Sequence, residues 1–372
     1  DINKAKGKLF ISNSDVYAKL DDAQTLGGTL KGAQLAFKID EEELGFLWVN
    51  ATAQGTAADM FSYFQTTPLQ QIVNKQFDEW QLTGSHQTQL AFKIPLNSPI
   101  EDMGVAIKTK LSDSEFHLED VGLDFLDLDG SIQFSSEQGL ASAGLNAQLW
   151  GQDLEAKISG EINERVMMTD IAFEGTLDTE EMKDWLKLGL LNNISGSTPV
   201  TGHFIINGNE KGFTGLKLKS KLKGVELDLP SPLAKKISQE VEFETSVQIK
   251  DGLILKLSYD ERVNLAMQFD DGELSAGQIY LGKTEAYIPS SPGLIVQGHI
   301  GSVNVNDWLN VWQGIEALDK RYGSTGKGGN NPLQKVALSS DEIHYNDYIF
   351  KHVKSEIIVS GKQWNINVNS PL

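Results

Sequence analysis

The sequence predicts a mainly β protein, a long antiparallel meander with about three short helices. Three observations predict it. Apolar and polar residues alternate with period two through much of the chain, the mark of strands with one buried face. Asp-Gly and Asn-Gly pairs separate many of these runs, and both residues of such pairs tolerate the positive φ that tight hairpins need. Helical periodicity occurs in only three places.

In chain order, the first helical stretch spans 57–76, with Asp59 in its first turn and Pro68 interrupting it. Strand alternation follows in Leu90/Phe92/Ile94, Leu145/Ala147/Leu149 and Leu154/Ala156/Ile158. The second helix covers 179–191. Thr179 is its expected cap, Glu180 and Glu181 favour its positive end, and Met182, Trp185, Leu186 and Leu190 form its stripe.

The clearest strand begins at Leu216. Leu216, Leu218 and Leu222 point one way, and Lys217, Lys219, Lys221 and Lys223 the other. Val241, Phe243, Val247 and Ile249 repeat the pattern against Glu242, Glu244, Gln248 and Lys250. Leu294, Val296 and Ile300 precede the third helix, 306–319, whose face carries Trp308, Leu309, Trp312, Ile315 and Leu318. Trp364, Ile366 and Val368 still alternate at the end. Turn pairs are expected at Asp129-Gly130, Asn207-Gly208, Asp251-Gly252 and Asp271-Gly272.

The helices expose an internal repeat. Gly175 precedes Trp185, and Gly298 precedes Trp308, by ten positions, and both tryptophans sit in Asp-Trp-Leu. Gly55 and Asp59 fit the same scheme more loosely. The division expected from it is a partial first unit over 1–70, a second over 71–191, a third over 192–320, and the start of another over 321–372.

The composition restricts function. The chain has 372 residues and a formal charge of −19. That balance argues against nucleic acid, whose phosphates need Lys and Arg, and against electrostatic docking on anionic membranes. Without cysteine there is no disulfide scaffold, thiol nucleophile or Cys-ligated metal. The polar opening, Asp1 to Lys8, is no secretory signal, and no apolar run is long enough to span a bilayer as a helix. The chain reads as a segment of something longer.

Sites of bond-breaking chemistry are not evident. None of the six histidines has metal-ligand spacing. Asp124, Asp127 and Asp129 hint at a calcium loop, but Phe125 and Ser136 stand where that loop needs oxygen ligands, so a solvated hairpin turn is expected there. The run Gly323–Gly329 lacks the first glycine and the Ser/Thr of a phosphate loop and reads as a linker. No nucleophile elbow and no glycosidase-type carboxylate pair is marked. The expectation is a non-enzyme without cofactor or metal.

One-sided strands with few helices need a cover for their apolar face. The sheet can close on itself, pack on a partner, or curl into a trough that holds a ligand. The trough-lining residues expected from the apolar phase are Leu216, Leu218, Leu222, Leu227, Leu229, Val241, Phe243, Val247, Leu253, Leu255, Leu265, Met267, Leu294, Val296 and Ile300.

The segment SKLKGVELDLPSPLAKK, Ser220 to Lys236, resembles the signature of the YhdP family of the AsmA-like clan: an alternating strand, then Asp228-Leu229-Pro230-Ser231-Pro232-Leu233 and the basic Lys235 and Lys236. Ala234 stands where relatives usually have Gly. Pro292 to Trp312, Phe173 to Leu186 and Ala51 to Leu69 fit other parts of the same pattern. The resemblance implies a repeating β-groove: a long curved sheet forming an elongated trough, similar to TamB and other bridge-like lipid transfer proteins. It also implies a periplasmic segment of a longer, inner-membrane-anchored bacterial protein. Its partners would be phospholipid or another acyl-chain lipid, together with other envelope proteins. A structural module binding a protein partner is the alternative reading.

Overall fold

The computed structural model describes residues 2–12, 15–25, 28–39, 45–59, 81–96, 102–118, 122–163, 166–186, 192–209, 212–249, 252–311, 333–360 and 363–370. Among these, 21 strands and three short helical segments occur, so the mainly β expectation holds. Two units divide the chain: Asp1–Gly175 with His203–Phe213, and Thr176–Gly202 with Thr214–Leu372.

The first unit is a meander. Its strands are β1 (Ile2–Ser12), β2 (Asp15–Thr25), β3 (Gly28–Ile39), β4 (Gly45–Thr56), β5 (Gln81–Pro95), β6 (Gly104–Leu118), β7 (Leu123–Ser135), β8 (Gly139–Leu149), β9 (Gln152–Asn163) and β10 (Val166–Asp178). Each pairs antiparallel with its sequence neighbour. Because opposed residues share a face, the period-two pattern of each strand adds to that of the next, and one face becomes mostly apolar. The Asp129-Gly130 pair is no hairpin turn. It lies within β7, where the pairing with both β6 and β8 shifts register, and Asp127 takes a φ of 50°. A bulge uses the same positive-φ residues as a turn, which is why the dipeptide misleads.

The first helix begins at 57–59, with the Thr56 hydroxyl accepting from the Asp59 amide at 3.2 Å. The rest of that expected helix, including Pro68, lies outside the described residues.

β11 (Ile194–Asn207) contributes to both units. In the second unit follow β12 (Gly215–Ser220), β13 (Val225–Leu227), β14 (Phe243–Gln248), β15 (Leu253–Tyr259), β16 (Val263–Asp270), β17 (Glu273–Leu281), β18 (Gly293–Asn304), β19 (Leu333–Tyr345), β20 (Tyr348–Ser360) and β21 (Gln363–Asn369). β12 pairs with β14, and the series then runs in order to β21, while β13 turns aside to pair with β11. The Asp271-Gly272 turn forms as expected, with φ of 51° and 80°.

Two pairings, β17 with β18 and β18 with β19, are parallel. Parallel neighbours need a connection that crosses the sheet rather than a hairpin. Residues 282–292 make the first crossing. They lie over the face bearing Ala266 and Gln278, where the Tyr287 amide donates to Gln278 Oε1 at 3.0 Å and Asn264 Nδ2 donates to the Gly282 carbonyl at 2.8 Å. The second crossing starts with the helix at 305–311, whose Asn306 amide donates to Asn304 Oδ1 at 3.0 Å. Trp312, the rest of the expected helix 306–319 and the Gly323–Gly329 run lie outside the described residues.

The helix Thr179–Leu186 carries its acidic first turn as expected, but Thr179 is not its cap. The Asp178 carboxylate accepts from the Glu180 amide at 2.8 Å, while the Thr179 hydroxyl donates to the Gly196 carbonyl at 2.8 Å. The charged oxygen one residue earlier outcompetes the hydroxyl for the helix start. Leu190 lies outside the described residues.

Candidate functional site

In the second unit the cross-strand register sorts the apolar residues into rows. One row runs Leu216, Val247, Leu255, Met267, Gly277, Leu294 from β12 to β18. The next runs Leu218, Thr245, Leu257, Leu265, Ile279, Val296. Eight residues of the expected lining therefore share one face in two adjacent rows. Their side chains are half-buried, neither sealed nor projecting into water. Leu253 extends the same face toward one strand end and is 41% exposed.

On β12, β14 and β15 the opposite face is charged, whereas on β16 and β17 it is covered by residues 282–292. Lys219 Nζ lies 2.8 Å from the Glu244 carboxylate, and Lys217 and Lys256 follow the same phase. Exposed pairs of this kind contribute little to stability, about 0–1 kcal/mol. Their effect is to keep that face in water and to fix which face is apolar.

Phe243 belongs to a third row, Ser220, Phe243, Tyr259, Val263, Leu281 and Gly298. Ile300 lies one row further, opposite Ser340. The remaining predicted residues sit differently. β12 ends at Ser220, and Leu222 takes a φ of 47°, so Leu222 leaves the strand instead of continuing it. Leu222, Val225 and Val241 are buried together with Tyr259 and Val263, with Leu227, Leu233 and Phe243 packed against them. Leu229 is buried outside any strand. Leu222, Leu227, Leu229 and Val241 are thus placed in or beside the connection 221–242 rather than on the half-buried rows.

That connection contains the DLPSPL segment and is fastened by three polar side chains. Lys235 is 2% exposed, and its Nζ donates to the Val225 carbonyl at 2.6 Å and to that of Lys236 at 3.2 Å. Burial lowers the Lys235 pKa, with Glu226 opposing the shift. The Tyr259 hydroxyl donates to the Leu233 carbonyl at 3.2 Å, and burial raises its pKa. Trp308 Nε1 donates to the Ser231 carbonyl at 3.0 Å.

In the first unit, the apolar face runs through Leu90 and Phe92 on β5, Val105, Ile107 and Leu111 on β6, Phe134 on β7, Leu140 and Leu145 on β8, and Ile158 on β9. It is more deeply buried than that of the second unit; Leu111 is fully inaccessible. A polar group crosses it. His86 Nδ1 lies 2.7 Å from the Thr88 hydroxyl, which lies 2.9 Å from that of Thr109. Burial lowers the His86 pKa, partly offset by Asp59. The Thr169 hydroxyl is buried with no hydrogen-bond partner among the described residues. The expected lining did not include this unit, although Leu90, Phe92 and Ile94 carried its period-two signal. Nothing in the local sequence marks the threonines, because Thr fits either face of a strand.

Asp124, Asp127 and Asp129 lie along β7 and not at a hairpin turn. Asp124 instead accepts from His117 Nδ1 at 2.8 Å, which raises the His117 pKa. Among the described residues no group of three His, Cys, Asp or Glu side chains could hold a metal ion, and no helix is long and apolar enough to cross a membrane.

Comparison with known proteins gives two matches. The family described as YhdP protein matches residues 1–372. The intermembrane phospholipid transporter YhdP of Escherichia coli (strain K12) is 23% identical over 317 residues, covering 82% of this chain and 24% of that protein. The chain therefore spans about a quarter of the length of this curated relative. No solved structure matches significantly.

Proposed function

The chain belongs to the YhdP family, and from that premise we propose that it is a segment of a lipid-transport bridge that holds phospholipid acyl chains along the apolar rows of its sheet. The relative's description as an intermembrane phospholipid transporter supports this reading. The observation that carries it is the pair of half-buried rows beginning at Leu216 and Leu218, backed on β12 and β14 by a charged face. Each methylene moved from water onto such a surface gains about 0.8 kcal/mol, with no preferred direction along it. A chain held this way slides from strand to strand while its head group stays in water. Such transfer breaks no bond and uses no cofactor.

In this reading the segment works in the bacterial periplasm as part of a longer, inner-membrane-anchored protein. The strands and helices then form a partial repeat over 1–70, a second over 71–191, a third over 192–320 and, after a Gly/Asn-rich loop, the start of another over 321–372, and further envelope proteins are its partners at either membrane.

The test is a photoreactive residue at Leu218 or, separately, at Lys219, followed by mass spectrometry of crosslinked and extracted lipid. Labelling at Leu218 alone supports the groove. Equal labelling at both positions, or an organic extract free of lipid, removes it and favours a structural module with a protein partner.

A further inference from the structure

We propose that residues 221–241 form a fixed roof over one margin of the second unit's apolar face, so that a lipid there is confined to the strip floored by the Leu216 and Leu218 rows. The inference rests on the groove reading and adds the element that sets the width of the path.

β12 and β14 are direct neighbours, with Ser220 opposite Phe243, yet 22 residues separate them. A hairpin needs two. The chain leaves at Leu222, reaches β13, passes through Asp228–Leu233 and returns at Val241, whose amide donates to the Lys221 carbonyl at 2.8 Å. What it covers is fixed by three facts. Tyr259 and Val263 point to the same face as Leu255 and Leu265, since both pairs lie in phase along β15 and β16. Tyr259 and Val263 are nevertheless buried, whereas Leu253, in phase on the same strand, is 41% exposed. The Tyr259 hydroxyl reaches the Leu233 carbonyl, which places the connection above that face.

Rows two residues apart along a strand are separated by about 6.7 Å. Covering the Tyr259 row leaves the levels of Leu253, Leu255 and Leu257, a strip about 13 Å from first level to last. The roof does not depend on apolar packing alone. Tyr259 and Trp308 each hold one of its carbonyl groups, Lys235 holds two from within it, and Leu227 and Lys235 exchange backbone hydrogen bonds across it at 2.9 and 3.2 Å. The DLPSPL segment and the lysine after it thus divide the work between them. The Pro-rich turn spans the margin, and Lys235 fastens it to Val225 at the start of β13.

The experiment uses the 372-residue chain loaded from phosphatidylethanolamine vesicles, with p-benzoylphenylalanine at Leu255 or at Tyr259. Labelling at position 255 at least tenfold above position 259, with the gap closing in a Lys235→Met/Trp308→Phe chain, supports the roof. Equal labelling of the two positions in the otherwise unaltered chain overturns it. Amide hydrogen exchange on the unsubstituted chain reads the roof without lipid. Slow exchange at Leu227, Lys235 and Val241 supports a fixed cover, and exchange as fast as at an exposed turn overturns it. Absence of lipid at position 255 with slow exchange at these amides would instead count against the groove reading alone.

Discussion

The indole Nε1 of Trp308 donates to the carbonyl oxygen of Ser231 at 3.0 Å, joining two segments 77 residues apart. One lies on the helix after β18 and the other in the connection between β12 and β14. Trp308→Phe keeps an aromatic ring and removes the donor, so it should lower stability by about 0.5–1.5 kcal/mol, read as a shift in the urea midpoint. Trp308→Ala should lower it further through lost packing.

The first unit's apolar face should respond by phase. Leu111 is fully buried, and Leu111→Ala should cost about 2–5 kcal/mol. Its strand neighbour Lys110 is exposed, and Lys110→Ala should stay within about 0.5 kcal/mol. Denaturation midpoints of the two variants check this, and similar losses would contradict the one-sided burial.

Two histidines should pull stability in opposite directions with pH. Burial lowers the His86 pKa below 6.5. As pH falls through 6.5 toward the folded value, the unfolded chain binds more protons and stability is lost. The Asp124 carboxylate raises the His117 pKa, so that group's contribution is full below 6.5 and disappears as pH rises through its folded value. In thermal melts between pH 8 and pH 5, His86→Asn should flatten the acid-side loss and His117→Asn should steepen it.

Gly298 takes a φ of 136°, and a side chain there would collide with the Leu281 backbone. Gly298→Ala should therefore cost about 1–3 kcal/mol. Gly144, with no atom near its Cβ position and no positive φ, should accept alanine with little change. Comparing the melting temperatures of the two variants tests the difference.

The strands were legible in the sequence because their apolar period and their burial have the same cause. Leu216 and Leu218 read correctly from alternation alone, as did the Asp271-Gly272 turn. What alternation could not show is where a strand stops. Leu222 keeps the phase of Leu218 by spacing, but its positive φ takes it out of the sheet. Asp129-Gly130 has a hairpin's chemistry yet serves a bulge, since both need the same backbone angles. The parallel pairings around β18 were hidden as well. A crossing strap such as 282–292 has no periodicity of its own, and its attachment to Gln278 is set by the fold. The repeat glycine before each Asp-Trp-Leu was visible as a pattern. Its reason, at Gly298, is crowding from the adjacent strand.

Antiparallel pairing of consecutive strands, as along β1–β10 and β14–β17, has a consequence for how such a molecule can change size. Splicing in one complete hairpin extends the greasy track by two rungs and leaves every existing rung in phase. Gain or loss of a single residue inside one strand would instead turn lysines such as Lys217 and Lys219 inward beyond that point. Growth by whole hairpins is therefore the tolerated route, and overall reach can be adjusted without redesigning any one part.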